Sequence, residues 1–178
     1  MPRIEGYAII SRNGMIANAD GSFPAALRID ADQRFFRAAV RRADATAHGR
    51  NSGLEELSRK RVVLTRRIAS LDKHAASAES ILWNPAGAAF ADACKRLQLG
   101  PEDTIAVLGG TDVFGLFLDI GYDTFFLSCT EVDLPEGRPV FPGAGRPQEV
   151  LSRHGLALHA RQSLDTEGQV VLETWRRA

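Results

Sequence analysis

Short apolar runs rich in β-branched residues alternate along this chain with stretches of helical period, and that alternation restricts the fold more than any other feature. Ile4 to Ser11, Ala43 to Ala47, Arg61 to Thr65, Ile81 to Trp83, Thr104 to Leu108 and Asp123 to Thr130 read as strands. Between them lie helical segments. One starts at Asp30, its expected cap, and puts Ala31, Phe35, Ala38, Ala39 and Val40 on one face. Others cover Gly53 to Leu57, Ala86 to Leu97 before the stop at Gly100-Pro101, and Val113 to Ile120. Strands that alternate with helices predict an α/β fold: a mostly parallel sheet with helices on both faces. The tail differs, with two extended runs, His154 to Gln162 and Gln169 to Trp175, joined by Asp165-Thr166-Glu167-Gly168. Turn residues between extended runs predict an antiparallel hairpin at the sheet's edge. Met15 to Arg28 reads as a long loop of the kind that carries function, and Leu134 to Pro147 as a loop rather than a linker. A single domain over 1–178 is expected.

Charge narrows the function classes. Lys plus Arg and Asp plus Glu are both 22, so the net charge is zero, which gives no electrostatic case for nucleic acid or a membrane surface. At 44% hydrophobic and 25% charged the chain is globular in composition. No run approaches a membrane span and the N-terminus has no signal-peptide pattern, so a cytoplasmic location is expected. Cys94 and Cys129 lie in apolar stretches and predict two buried free thiols. The four histidines have no ligand spacing, so no metal site is expected. Trp83 and Trp175 fall in strands and predict core positions.

In a parallel α/β sheet, ligands bind outside the carboxyl ends of the strands. Three such ends carry unusual chemistry here. His48-Gly49-Arg50-Asn51-Ser52 offers a glycine, a guanidinium and a hydroxyl at a helix start, which suits an anion. Leu64-Thr65-Arg66-Arg67 offers a hydroxyl and two guanidinium groups, enough to hold a terminal phosphate. Gly109-Gly110-Thr111 leaves a strand and opens a helix, where bare backbone can approach a pyrophosphate.

The series of motifs resembles the dihydrofolate reductase family, including its relative, the reductase domain of riboflavin biosynthesis. The matching pieces are Ala8 to Ala17, Ile29 to Phe36, Gly49 to Ser52, Val62 to Arg66, Val107 to Phe114, Asp123 to Ser128 and Phe141-Pro142, in the family's order. The resemblance implies NADPH as cofactor, with Ala8, Ile16, Gly49, Arg50, Asn51, Ser52, Thr65, Arg66, Gly109, Gly110, Thr111, Asp112, Val113 and Phe114 in its site. Thr65 and Arg66 match the segment that reads the 2′-phosphate, and Gly109-Gly110 a glycine pair that the family joins by a cis peptide. The chain departs from the pattern in lacking a Pro-Trp pair in its first loop, where Phe23-Pro24 is nearest, and in having Phe114 for a common tyrosine.

Asp32 matches the family's active-site acid, Ser128 a hydroxyl that bonds both acid and ring, Phe35 and Phe36 the substrate wall, and Arg59 an arginine gripping an anionic tail. Reduction of a C=N bond adds hydride to carbon and a proton to nitrogen. A carboxylate that pairs with the ring's amidine-like edge favours the protonated ring and eases hydride transfer. The expected activity is therefore NADPH-dependent reduction of a pterin such as dihydrofolate. A riboflavin-pathway reductase of an aminopyrimidine, or an NADPH-binding protein without turnover, are the other readings; oligomeric state is not legible.

Overall fold

A computed structural model describes residues 1–50, 60–75, 77 and 79–178. The first strand, β1 (Arg3–Ile10), alternates its side chains between two apolar layers. Tyr7 and Ile9 face one layer; Ile4, Ala8 and Ile10 face the other. Buried on both sides, β1 reads in sequence as a nearly continuous apolar run. It is followed by a short strand β2 (Met15–Asn18), a 3-10 turn (Ala25–Leu27) and helix α1 (Asp30–Arg42). The segment Met15 to Arg28 is thus partly ordered by β2, which pairs antiparallel with β9 (Gly137–Pro139). The helix cap is Ile29, not Asp30, and no side chain bonds the helix start; Asp30 is the first helical residue and its charge favours that end.

Strands β3 (Ala45–Gly49), β4 (Lys60–Leu64), β5 (Leu71–Lys73) and β6 (Ser80–Trp83) follow, then α2 (Phe90–Arg96), β7 (Thr104–Val107), α3 (Thr111–Ile120) and β8 (Thr124–Thr130). The chain closes with α4 (Pro147–Arg153), β10 (Leu156–Ser163) and β11 (Val170–Arg177). The nine-stranded sheet has the order β10-β11-β8-β1-β7-β3-β4-β6-β5. Its six inner strands from β8 to β6 are parallel, and β11 and β10 extend it antiparallel, as the turn residues between them predict. A second antiparallel edge, β5 on β6, is too short to stand out in sequence.

Helices cover both faces. Phe90, Ala93 and Cys94 of α2, Val113, Phe114 and Phe117 of α3, and Val150 and Leu151 of α4 join the larger core. On the opposite face, α1 buries Ala31 and Ala39 and leans Phe35 and Phe36 against Tyr7, Ala106 and Phe126. Trp83 and Trp175 are core residues. Both cysteines are free; Cys94 is buried and Cys129 half-buried, and burial pushes their thiols up to about 11 and about 12. Among the described residues no helix is long and apolar enough to cross a membrane.

This topology makes a crevice. β1 and β7 are neighbours, yet α1 carries the chain from β1 toward β3 on one face while α3 carries it from β7 to β8 on the other. Two crossovers that leave adjacent strands in opposite directions open a cleft at the strands' carboxyl ends.

Candidate active site

At that crevice the chain puts backbone with little side chain. The Gly49 N–H, at the end of β3, donates to the Gly109 carbonyl at the end of β7 (3.3 Å). Gly109 adopts φ +100°, a conformation that favours glycine, and a Cβ there would lie 2.6 Å from the Phe114 ring. Gly110 is the N-cap of α3; a Cβ on it would meet nothing within 4 Å, so its backbone borders open space. The first N–H groups of α3 have no side-chain cap, and they and the helix dipole face the same opening. The described peptide bonds are all trans, so the cis peptide implied for Gly109-Gly110 is not found.

The first turn of α1 brings an acid to the same edge. Asp32 is only 9% exposed, and Ser128 on β8 is the side chain that bears on its titration. Burial raises the Asp32 pKa, and Ser128 acts in the opposite sense. Asp32 and Ser128 thus lie on the α1 face of the sheet, near enough for the hydroxyl to influence the acid. Phe35 and Phe36 are half-buried beside them. The Phe35 ring packs on Tyr7 (centroids 6.1 Å apart) and edge-on to Phe126 (5.7 Å), so it braces α1 on the sheet.

Beyond the crevice, Thr65 follows β4, its N–H bonded to the Trp83 carbonyl (2.9 Å), and Arg66 projects into solvent. Arg66 and Asp112, in the first turn of α3, line one groove of 580 Å³ with Gly115, Leu116 and Pro142. Thr111 turns its hydroxyl to the Pro139 carbonyl (2.5 Å) and so fastens α3 to β9. Val113 and Phe114 are buried in the larger core, with Phe114 edge-on to Phe125 (5.6 Å). Ala8 and Ile16 pack partly buried against that core. Arg50 is exposed just after β3. Asn51, Ser52, Arg59 and the helix expected over Gly53 to Leu57 lie outside the described residues.

Sequence reasoning missed Arg153 and His154, which also line the Arg66 groove. The available signal was Pro147, a residue favoured at a helix start, at the end of a stretch read as loop. Arg61 was missed as well. It is 5% exposed on the α1 face, where its Nε donates to Ser80 (2.9 Å) while Nη1 has no partner.

No family model and no curated protein matches the chain. Solved structures do. The chain is similar to a diaminohydroxyphosphoribosylaminopyrimidine deaminase/5-amino-6-(5-phosphoribosylamino)uracil reductase from Thermotoga maritima, at TM-score 0.69 and 17% identity. That match covers 99% of this chain but 57% of the other, so the chain spans little more than half of that protein. A Shewanella sp. PV-4 protein described as a riboflavin biosynthesis protein matches at TM-score 0.67 and 17% identity, over 99% of both chains. Likeness at this identity establishes the fold, and it bears out the architecture that the series of motifs implies.

Proposed function

We propose that this chain is an NADPH-dependent reductase in a single domain, acting first of all on an aminopyrimidine intermediate of riboflavin biosynthesis. The observation that carries the reductase reading is the buried Asp32–Ser128 pair at the crevice that also holds the Gly109-Gly110 turn. The fold shared with a uracil reductase favours the aminopyrimidine.

The residues at hand suit the dinucleotide. Open space over Gly110, the uncapped start of α3 and the adjoining Gly49 would take its pyrophosphate, with Arg50, Asn51 and Ser52 alongside. Thr65 and Arg66 would receive the 2′-phosphate, with Thr111, Asp112, Val113 and Phe114 shaping the helix beneath. NADPH supplies the hydride when bound. Asp32 holds the substrate's polar edge, and its raised pKa lets it keep or share a proton closer to neutrality than an exposed carboxyl would. The Ser128 hydroxyl favours the carboxyl's charged form, and Phe36 and Phe35 give the ring an apolar wall.

Dihydrofolate is the second reading, favoured by the acid–hydroxyl pair, which suits a pterin's amidine-like edge. The test is NADPH oxidation followed by absorbance, with 5-amino-6-(5-phosphoribosylamino)uracil and dihydrofolate in parallel and NADH as the control. Turnover with the aminopyrimidine is the expected result. Turnover with dihydrofolate alone would transfer the assignment to the pterin. Binding of NADPH without turnover of either substrate would overturn the reductase reading in favour of a nucleotide-binding protein.

A further inference from the structure

Arg66 does not stand alone in its groove. Its Nη2 lies 3.3 Å from Asp112 Oδ2, and the two side chains are 86% and 76% exposed. Asp112 belongs to the first turn of α3, where the helix dipole favours a carboxylate, so the acid is held at the place where Arg66 points. Leu116 and Pro142 give the same groove apolar lining, and Arg153 lines it too.

We propose that Asp112 is a specificity residue that limits the preference for NADPH by competing with the 2′-phosphate for Arg66. The proposal rests on the cofactor reading above and adds a sign to it. A ribose 2′-phosphate carries about −1.5 to −2 charges at neutral pH. To reach Arg66 it must displace a carboxylate that already neutralises the guanidinium, and it must then lie beside that carboxylate. A 2′-hydroxyl meets neither obstacle; it is neutral and can donate a hydrogen bond to an acid, the arrangement by which acidic residues select NADH in dinucleotide folds. Arg66 and Asp112 therefore act on the two nucleotides in opposite senses. Both are solvent-exposed, so screening keeps the effect to a few-fold rather than orders of magnitude.

Dissociation constants for NADPH and NADH, measured by titration calorimetry at low salt, test this on the whole chain and four forms: wild type, Asp112→Asn, Arg66→Ala and the double variant. Asp112→Asn is expected to tighten NADPH by about twofold to fivefold and to leave NADH unchanged or weaker. In the double variant the gain should vanish, because the competition needs Arg66. An equal change for both nucleotides, or a gain that survives removal of Arg66, would overturn the role given to Asp112. Failure of the wild type to bind either nucleotide would overturn the cofactor reading itself.

Discussion

Gly6 lies at the middle of the central strand β1, directly opposite Phe125 of β8. A Cβ at Gly6 would lie 2.3 and 2.4 Å from two atoms of the Phe125 ring and 2.9 Å from Tyr122. Ordinary contact begins near 3.4 Å, so Gly6→Ala demands that the ring retreat by about 1 Å. It has nowhere to go. Phe125 is fully buried between Tyr122 (5.0 Å), Phe141 (5.3 Å) and Phe114 (5.6 Å). Overpacking of this kind costs about 3 kcal/mol at the upper end of its usual range. Against it, alanine restricts the unfolded chain and gains about 0.7 kcal/mol. The net expectation is a loss of about 2 kcal/mol, read from urea unfolding of wild type and variant followed by circular dichroism. Because Phe114 carries the displacement toward Gly109, NADPH binding should weaken as well. A variant within 0.5 kcal/mol of wild type, by that estimate of ordinary surface scatter, would refute the claim that the aromatic cluster is rigid.

Asp32→Asn should lower turnover by about a hundredfold or more while raising stability at neutral pH. The sign follows from its raised pKa: the native state holds the proton more tightly than the unfolded chain, so Asp32 loses stability for the fold as pH rises from about 3.9 through the higher native value. The gain of the variant over wild type in urea unfolding should therefore grow between pH 3.5 and pH 7, about that span being set by the unfolded carboxyl; a pH-independent difference would remove the buried-acid argument. Arg61→Met should change stability by less than about 1 kcal/mol or increase it, since a buried guanidinium without an ion pair among the described residues is costly to keep. A thermal unfolding midpoint far below that of wild type would show that Arg61 has a charge partner.

Much of the architecture was legible because buried parallel strands are continuous apolar runs, and Gly109-Gly110 and Asp165 to Gly168 punctuate them with turn chemistry. Elements that bury little left no signal: Leu71–Lys73 is half-buried at one residue and exposed at two, and β2 and β9 hold only four and three residues. β3 was expected to end before His48, since His-Gly reads as a turn; instead His48 is buried opposite Val63 and the strand continues through Gly49. α3 starts at Thr111 rather than Val113, and α2 at Phe90 rather than Ala86, because Asn84 holds the preceding turn through its side chain and accepts the Ala86, Gly87 and Ala88 amides. The Asp32–Ser128 pair was legible only through the resemblance, as nothing local ties a helix start to a distant strand. The opposed charges of Arg66 and Asp112, 46 positions apart, need the fold to meet.

The placement of β1 has a consequence for synthesis. Its neighbours are Thr104–Val107 and the strand from Thr124 onward, so the first strand made is the one whose partners are made late. At a translation rate of about 5 to 20 residues per second, β1 waits on the order of 5 to 20 s before either side can pair. Until then a run built of Ile4, Tyr7, Ile9 and Ile10 has no sheet to enter, while β3, β4, β6 and β5 can assemble beside one another. The middle of the sheet is thus closed from the carboxyl-terminal half of the chain, and the arrival of β7 and β8, rather than any local element, sets when β1 is built into the fold.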